Sequence, residues 1–148
     1  MGIRPVFVRE GTISEAVEIS RQIPEFQDPY GAEEYEKRFA DVQYLIAIAE
    51  VDGIPVGFKA GYNREDNQSF YSWMGAVLPK HRKSGLAKAL ADFQEEWARN
   101  HGFSSIKMKT RNRLKPMLHF ALGNGFNIIR VDPNKDVEEN RIWLEKRL

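Results

Sequence analysis

Val77-Leu78-Pro79-Lys80-His81-Arg82-Lys83-Ser84-Gly85-Leu86-Ala87 is the stretch on which the reading of this chain turns. The run before it, Phe70-Tyr71-Ser72-Trp73-Met74-Gly75-Ala76, is strand-like, and the segment after it is amphipathic to about His101. Together they spell a strand, a turn with small residues, and a helix that begins where the backbone is barest. The first turn of a helix carries amides without intrahelical partners and a partial positive charge, so an anion binds there without a dedicated side chain. Ser84, Gly85 and Ala87 let a diphosphate approach the backbone, while Arg82, Lys83 and Lys88 surround it with charge. The stretch reads as a phosphate cradle. It is neither a Gly-x-x-x-x-Gly-Lys-[Ser/Thr] loop nor a Gly-x-Gly-x-x-Gly fingerprint, since the chain contains neither pattern.

Downstream of the cradle, Leu86, Leu90, Phe93 and Trp97 recur on one helical face, with Lys88, Asp92, Glu95, Glu96 and Arg99 assigned to water and Gly102 as the stop. Ile106, Met108 and Thr110 alternate with Lys107 and Lys109, which predicts a fifth strand, half buried or near an edge. A strand, a crossover helix and a second strand predict a parallel pair. Pro116 suits the first turn of a further helix running to Gly123, and Ile128–Val131 and Arg141–Glu145 follow as strands. Upstream, Val6-Phe7-Val8 reads as a strand, and Thr12-Ile13-Ser14-Glu15 is a capping box for a helix to about Gln22. Pro24 and Pro29 flank an acidic aromatic loop, and Glu33–Ala40 predicts a short second helix. Tyr44–Glu50 and Val56–Tyr62 form a hairpin around Asp52-Gly53, leading through the polar turn 63–68 to the strand before the cradle. The fold class is therefore α/β, a mixed sheet of about seven strands with helices on both faces.

A chain of 148 residues, 42% hydrophobic and 29% charged, has room for one domain with its own core, so residues 1–148 are expected to be a single domain. No apolar run reaches membrane-spanning length and the start lacks a secretory h-region, so a cytoplasmic location without membrane association is expected. The absence of cysteine excludes a disulfide framework, a thiol nucleophile and a thiolate metal site. His81, His101 and His119 have no ligand spacing, so no metal is expected. The formal net charge of +1 covers an asymmetry. Residues 25–52 are mostly acidic, with only Lys37 and Arg38 against Glu25, Asp28, Glu33, Glu34, Glu36, Asp41, Glu50 and Asp52, whereas residues 77–115 are mostly basic. Either these are two solvated surfaces, or the basic half holds an anion and the acidic half draws in a cation.

Arg82-x-x-Gly85-x-Ala87 behind Val77-x-Pro79 resembles the acyl-CoA signature of the GNAT acetyltransferase superfamily, [Gln/Arg]-x-x-Gly-x-[Gly/Ala]. The element order β-α-α-β-β-β-α-β-α-β-β is similar to that of the GNAT acyl-CoA N-acyltransferase fold over nearly the whole chain. Asn112-x-x-x-x-Met117, followed by Asn124-Gly125-Phe126, looks like a second family landmark. The resemblance implies acetyl-CoA, or another acyl-CoA, as donor and an amine as acceptor. It also implies that the backbone of Ala76, Val77 and Leu78 meets the pantetheine arm. The loop amides of Arg82, Lys83, Ser84, Gly85, Leu86 and Ala87 then take the diphosphate, with Lys88 nearby and Asn112 among the cofactor-binding residues. The family's fourth and fifth strands splay after a bulge, expected here at Gly75, and hold the thioester between them.

Acetyl transfer to an amine needs a neutral nucleophile, a proton acceptor and a donor for the departing thiolate. Where many family members carry a tyrosine acid, this chain has Ala121. Three side chains are candidates instead. His119 could protonate the thiolate or simply lie on a helix surface. Tyr71 occupies a position where some members have a carboxylate base, though a strand tyrosine also serves as core; alternation would put it on one face with Trp73 and Gly75, opposite Ser72, Met74 and Ala76. Glu50 could be a base or amine anchor, or a solvated hairpin end. Phe26 and Tyr30 are pocket lids or anchors, and Arg111, Arg113 and Lys115 are contacts for the CoA 3′-phosphate or surface. The leading expectation is direct attack by an amine in a ternary complex, with a small-molecule or peptide acceptor. A catalytically idle acyl-CoA-binding module is the alternative. The basic segment's aromatics pattern as core, which argues against nucleic-acid binding. A homodimer would be ordinary for the family.

Overall fold

Over residues 6–148, which the computed structural model describes, the periodicities resolve into seven strands and four α-helices. In chain order these are β1 (Val6–Glu10), α1 (Ile13–Ser20), α2 (Ala32–Phe39), β2 (Tyr44–Val51), β3 (Ile54–Tyr62), β4 (Ser69–Val77), α3 (Leu86–Asn100), β5 (Ser105–Arg111), α4 (Lys115–Gly123), β6 (Asn127–Asp132) and β7 (Arg141–Arg147). They form one sheet in the order β1-β2-β3-β4-β5-β7-β6, antiparallel except for the β4/β5 pair. β5 therefore lies inside the sheet between β4 and β7, not near an edge; β7 returns to pair with it and leaves β6 outermost.

Local chemistry accounts for the boundaries. Thr12 and Glu15 make both bonds of the capping box at the start of α1. Asp52 (φ 53°) and Gly53 (φ 79°) both take the left-handed region, the two-residue turn whose twist matches a β2/β3 hairpin. Gly102, at φ 87°, turns the chain out of α3. The helices then cover the sheet from both sides. Ala16, Val17 and Ile19 of α1 and Tyr35 and Phe39 of α2 bury against Ile46, Ile48, Phe58, Ala60, Tyr62 and Tyr71. On the opposite face, Leu86, Leu90 and Ala98 of α3 meet Leu45, Ala47, Ala49, Phe70, Val77 and Ile106. Ala121 of α4 packs beside them on Ile142 and Leu144. Glu95, expected in water, is instead buried where α3 crosses the sheet, and its carboxylate accepts a 2.9 Å hydrogen bond from Lys146 Nζ. A carboxylate buried at that level must be paired.

The feature that matters for a site is the parting of β4 from β5. They share only the rungs Ser69/Ser105, Phe70/Ile106 and Tyr71/Lys107. Beyond them β4 stays with β3 to Val77 while β5 stays with β7 to Arg111, so the two strands diverge. The divergence starts at a bulge, but not at Gly75. Ala60 faces Met74 and Gly61 faces Ser72, which makes Trp73 the extra residue. A bulge inserts one residue into the alternation and bends the strand. Its effect on side chains overturns the simple alternation expected for β4: Tyr71, Trp73, Met74 and Ala76 all pack toward the α1/α2 side. Gly75 is glycine for another reason, since a Cβ there would lie 2.8 Å from the Phe58 carbonyl.

Gly61 sits across from the bulge, where a Cβ would come within 2.5 Å of the Phe70 ring and 2.6 Å of the Tyr71 carbonyl oxygen. Gly61→Ala is expected to cost roughly 1–3 kcal/mol of stability through overpacking. Urea unfolding will read this as a lower midpoint; an unchanged midpoint would mean the strands are not held this close.

Candidate active site

After β4 the chain makes a 3-10 turn at Pro79–His81 and enters the cradle. Lys83 (φ 60°) and Gly85 (φ 83°) are both left-handed, an alternation that gathers consecutive amides into a concave, electropositive surface. Gly85 is the N-cap of α3 and has no side-chain cap. The first amide bonded in helical fashion is that of Ala89, to the Gly85 carbonyl at 3.0 Å. Among the described residues, the amides of Lys83 through Lys88 donate to nothing in the chain. Leu86 is buried and anchors this helix end, whereas residues 82–85, 87 and 88 are exposed. The Ser84 hydroxyl donates to the His81 carbonyl and fixes the loop from inside. A Cβ on Gly85 would touch nothing, so the space in front of the loop is open.

Arg82 is placed differently from a free cation. Its Nε donates to the Val77 carbonyl at 2.9 Å, and its two terminal nitrogens grip Glu25 at 2.8 and 2.9 Å. Those hydrogen bonds, before any longer-range attraction, pull the Glu25 carboxyl down to about 2. The arginine thus clamps the cradle to the loop between α1 and α2. Lys88 is paired with Asp92 one turn along α3, so Lys83 is the cation of the loop itself with no ion pair among the described residues.

Beside the cradle lies the open edge of β4. Leu78 donates its amide to Val56 at 2.8 Å, so that amide faces β3. Antiparallel pairing alternates bonded and non-bonded residues, which points the amide of Ala76 the same way and those of Val77 and Gly75 into the gap toward β5. The Val77 amide is therefore the donor nearest the cradle on that edge.

Of the three catalytic candidates, only Tyr71 is at the fork, on the last rung before the strands part. It is 4% exposed, its ring meets Tyr62 and Trp143, and burial pushes its phenol up. Glu50 lies two strands away and is held by Arg9 at 2.7 Å. His119 is exposed on α4 and makes no hydrogen bond within the described residues. Asn112 donates its side-chain amide to the Val137 carbonyl at 2.9 Å, fastening the turn before β7. Arg111 and Arg113 both pair with Glu139, and Lys115 lies 3.9 Å from Glu138. Phe26 packs on the α1/α2 core, while Tyr30 is half exposed over Trp73, ring centroids 5.6 Å apart.

One group of residues escaped the sequence reading. On the α1/α2 side, the helices cover β2, β3 and β4 but leave β5 and β7 bare, and there Lys109 and Trp143 face the fork. Lys109 Nζ is 5.3 Å from the Trp143 ring and 6.0 Å from that of Tyr71, and Arg64 lies over both rings at 5.6 and 5.0 Å. Burial, then the fields of Arg141 and Arg64, lower the Lys109 ammonium to about 8. The alternation of Lys107, Lys109 and Arg111 was visible in the sequence, but not that β7 would place Arg141 and Trp143 next to it.

The GNAT acetyltransferase family model matches residues 14–126. The chain therefore belongs to the GNAT acetyltransferase family, which uses acetyl-CoA, and is an acyltransferase. Solved structures share its fold at low identity. The ribosomal-protein-S18-alanine N-acetyltransferase of Escherichia coli superposes with a TM-score of 0.80 at 15% identity, over 97% of this chain and 94% of that one. Ard1 of Thermoplasma volcanium gives 0.78 at 18%, over 97% of each chain. The PaiA N-acetyltransferase of Thermoplasma acidophilum, solved with coenzyme A, gives 0.74 at 14%, over 97% of this chain and 99% of that one. No curated protein matches the sequence.

Competitive labelling of lysines across pH is expected to return a titration near 8 for Lys109, well under the ordinary lysine value of about 10.4. An ordinary value would show that neither burial nor the neighbouring arginines act on it.

Proposed function

We propose that this chain transfers the acetyl group of acetyl-CoA to a primary amine by direct attack within a ternary complex. The observation that carries this reading is the run of unpartnered amides from Lys83 to Lys88 beside the open edge of β4. A diphosphate is the ligand such a run fits, and the amides replace its water without reorganising. The Val77 amide on the β4 edge then holds the acyl arm, and Lys83 adds charge at the loop. Arg82 acts by positioning, because its guanidinium already bridges Val77 and Glu25.

Acetyl-CoA supplies an activated thioester. The amine nitrogen gains the acetyl carbon as the carbon–sulfur bond breaks, and one proton leaves the amine while one reaches sulfur. For the second of these protons Tyr71 is the candidate: it lies at the fork and its raised phenol stays protonated at neutral pH. Neither Glu50, bound to Arg9, nor the exposed His119 is needed for it. Cleavage needs no covalent enzyme intermediate, in keeping with a chain that has no cysteine.

Two substitutions test the reading by calorimetric titration with acetyl-CoA and by steady-state rates. Gly85→Glu adds bulk and a like charge at the diphosphate and is expected to weaken binding roughly hundred-fold. Gly85→Ala carries the same left-handed strain, about 1–2 kcal/mol, without the charge and is expected to retain most of the affinity. Undiminished binding by Gly85→Glu would overturn the assignment of the cradle. Tyr71→Phe is expected to lower kcat by about hundred-fold with the affinity for acetyl-CoA unchanged; full activity would remove Tyr71 from the chemistry.

A further inference from the structure

The bare side of β5 and β7 carries more positive charge than the fold needs. Lys107, Lys109 and Arg111 alternate along β5, Arg141 begins β7, and Arg64 and Arg130 reach over from the turn before β4 and from β6. Some of this charge is answered. Lys107 meets Glu65 at 3.5 Å, Arg111 meets Glu139 at 3.6 Å, and Arg130 meets Asp132 at 3.0 Å. Asp132 also accepts the Trp143 indole N–H, and Glu145 accepts from the Ser105 hydroxyl. Among the described residues Arg64, Lys109 and Arg141 make no ion pair within 4 Å, although Asp132 stands across from Arg141 on β6. Three like charges drawn together beside buried rings repel one another in a medium that screens them poorly. Burial first, and then this repulsion, lower the Lys109 ammonium.

These groups also stand where an acceptor must arrive. Arg64 and Lys109 lie over Tyr71 and Trp143, whose ring centroids are 6.4 Å apart, and the α3 side of the sheet is closed by that helix. A hollow of about 330 Å³, lined by Arg64, Lys107, Arg130, Ile129, Trp143 and the one carboxylate Glu65, which Lys107 meets, opens next to them. That is the size of a site for a small molecule. Arginine and lysine over aromatic faces are held in place and partly stripped of water, which favours a planar anion that can bond two of them at once.

Resting on the acetyl-transfer reading above, we propose that the acceptor is a small primary amine bearing a carboxylate, which Arg64, Lys109 and Arg141 hold against Tyr71 and Trp143 while the amine points to the thioester. Of the eight acids in the segment expected to draw in a cation, three are paired with arginines, Glu25 with Arg82, Glu34 with Arg38 and Glu50 with Arg9.

Matched acceptors test this with acetyl-CoA as donor: each of a set of amino acids, its carboxamide, and the amine lacking the carboxyl carbon. The carboxylate member is expected to be favoured at least about ten-fold in kcat/KM. Arg64→Gln and Lys109→Met should bring that ratio close to one, through the KM of the carboxylate member, with the affinity for acetyl-CoA unchanged. Equal or better use of the uncharged or decarboxylated members overturns the proposal. So does a protein that binds acetyl-CoA yet turns over no carboxylate-bearing amine. Failure to bind acetyl-CoA at all overturns the acetyl-transfer reading first, and is thereby distinguished from failure of this inference.

Discussion

Two parallel strands that share three rungs and then separate must leave backbone donors and acceptors facing a gap. In this chain neither strand can close it. β4 is bound to β3 through Val77 and bent by the extra residue Trp73, while β5 is bound to β7 along its whole length. The helix that connects them starts beside the mouth of the gap, so its unpartnered amides and those of the β4 edge form one continuous polar strip. The cradle amides are open to water, but those of the half-buried Gly75 and the buried Val77 are costly unless something else satisfies them. A long ligand with a diphosphate at one end and amide groups along its arm would meet that requirement, which is the physical basis of the proposed donor site.

Electrostatics divides the two ends of this strip. At the cradle, Arg82 is turned inward on Val77 and Glu25 and stiffens the loop, leaving the amides, the helix dipole and Lys83 to receive charge. At the fork, the aromatic layer formed by Tyr30, Trp73, Tyr71 and Trp143 is overlaid by Arg38, Arg64 and Lys109. Arg38 is tied to Glu34 at 2.7 Å, whereas Arg64 and Lys109 make no ion pair among the described residues. The helices α1 and α2 stop at β4, and it is this incomplete cover that leaves the basic side of β5 and β7 open.

Much of this was written in local sequence. Thr12-Ile13-Ser14-Glu15, Asp52-Gly53, Gly102 and Pro116 each act within a few residues, and each marks the boundary it was expected to mark. The cradle was legible for the same reason: a strand, a bare turn and a helix start are contiguous. What the sequence hid depends on pairing. The bulge belongs to the match between β4 and β3, so Trp73 could not be told from Gly75 by inspection of β4 alone. The pairing of Arg82 with Glu25 was hidden because the two lie 57 residues apart in sequence. Glu95 looked exposed by helical period, but Lys146 reaches it from the far end of the chain. The cluster of Arg64, Lys109, Arg141 and Trp143 is assembled from three separate segments and has no signature in any one of them.

The claim on which the rest stands is that the amides from Lys83 to Lys88 receive the diphosphate of the donor. Titrating the isotope-labelled protein with coenzyme A while following its backbone amide resonances tests this directly. The account predicts the largest shifts at Lys83–Lys88, joined by Gly75 and Val77 on the β4 edge, with Arg64 and Lys109 little changed. Shifts centred elsewhere, or a cradle that does not respond to coenzyme A, would contradict it.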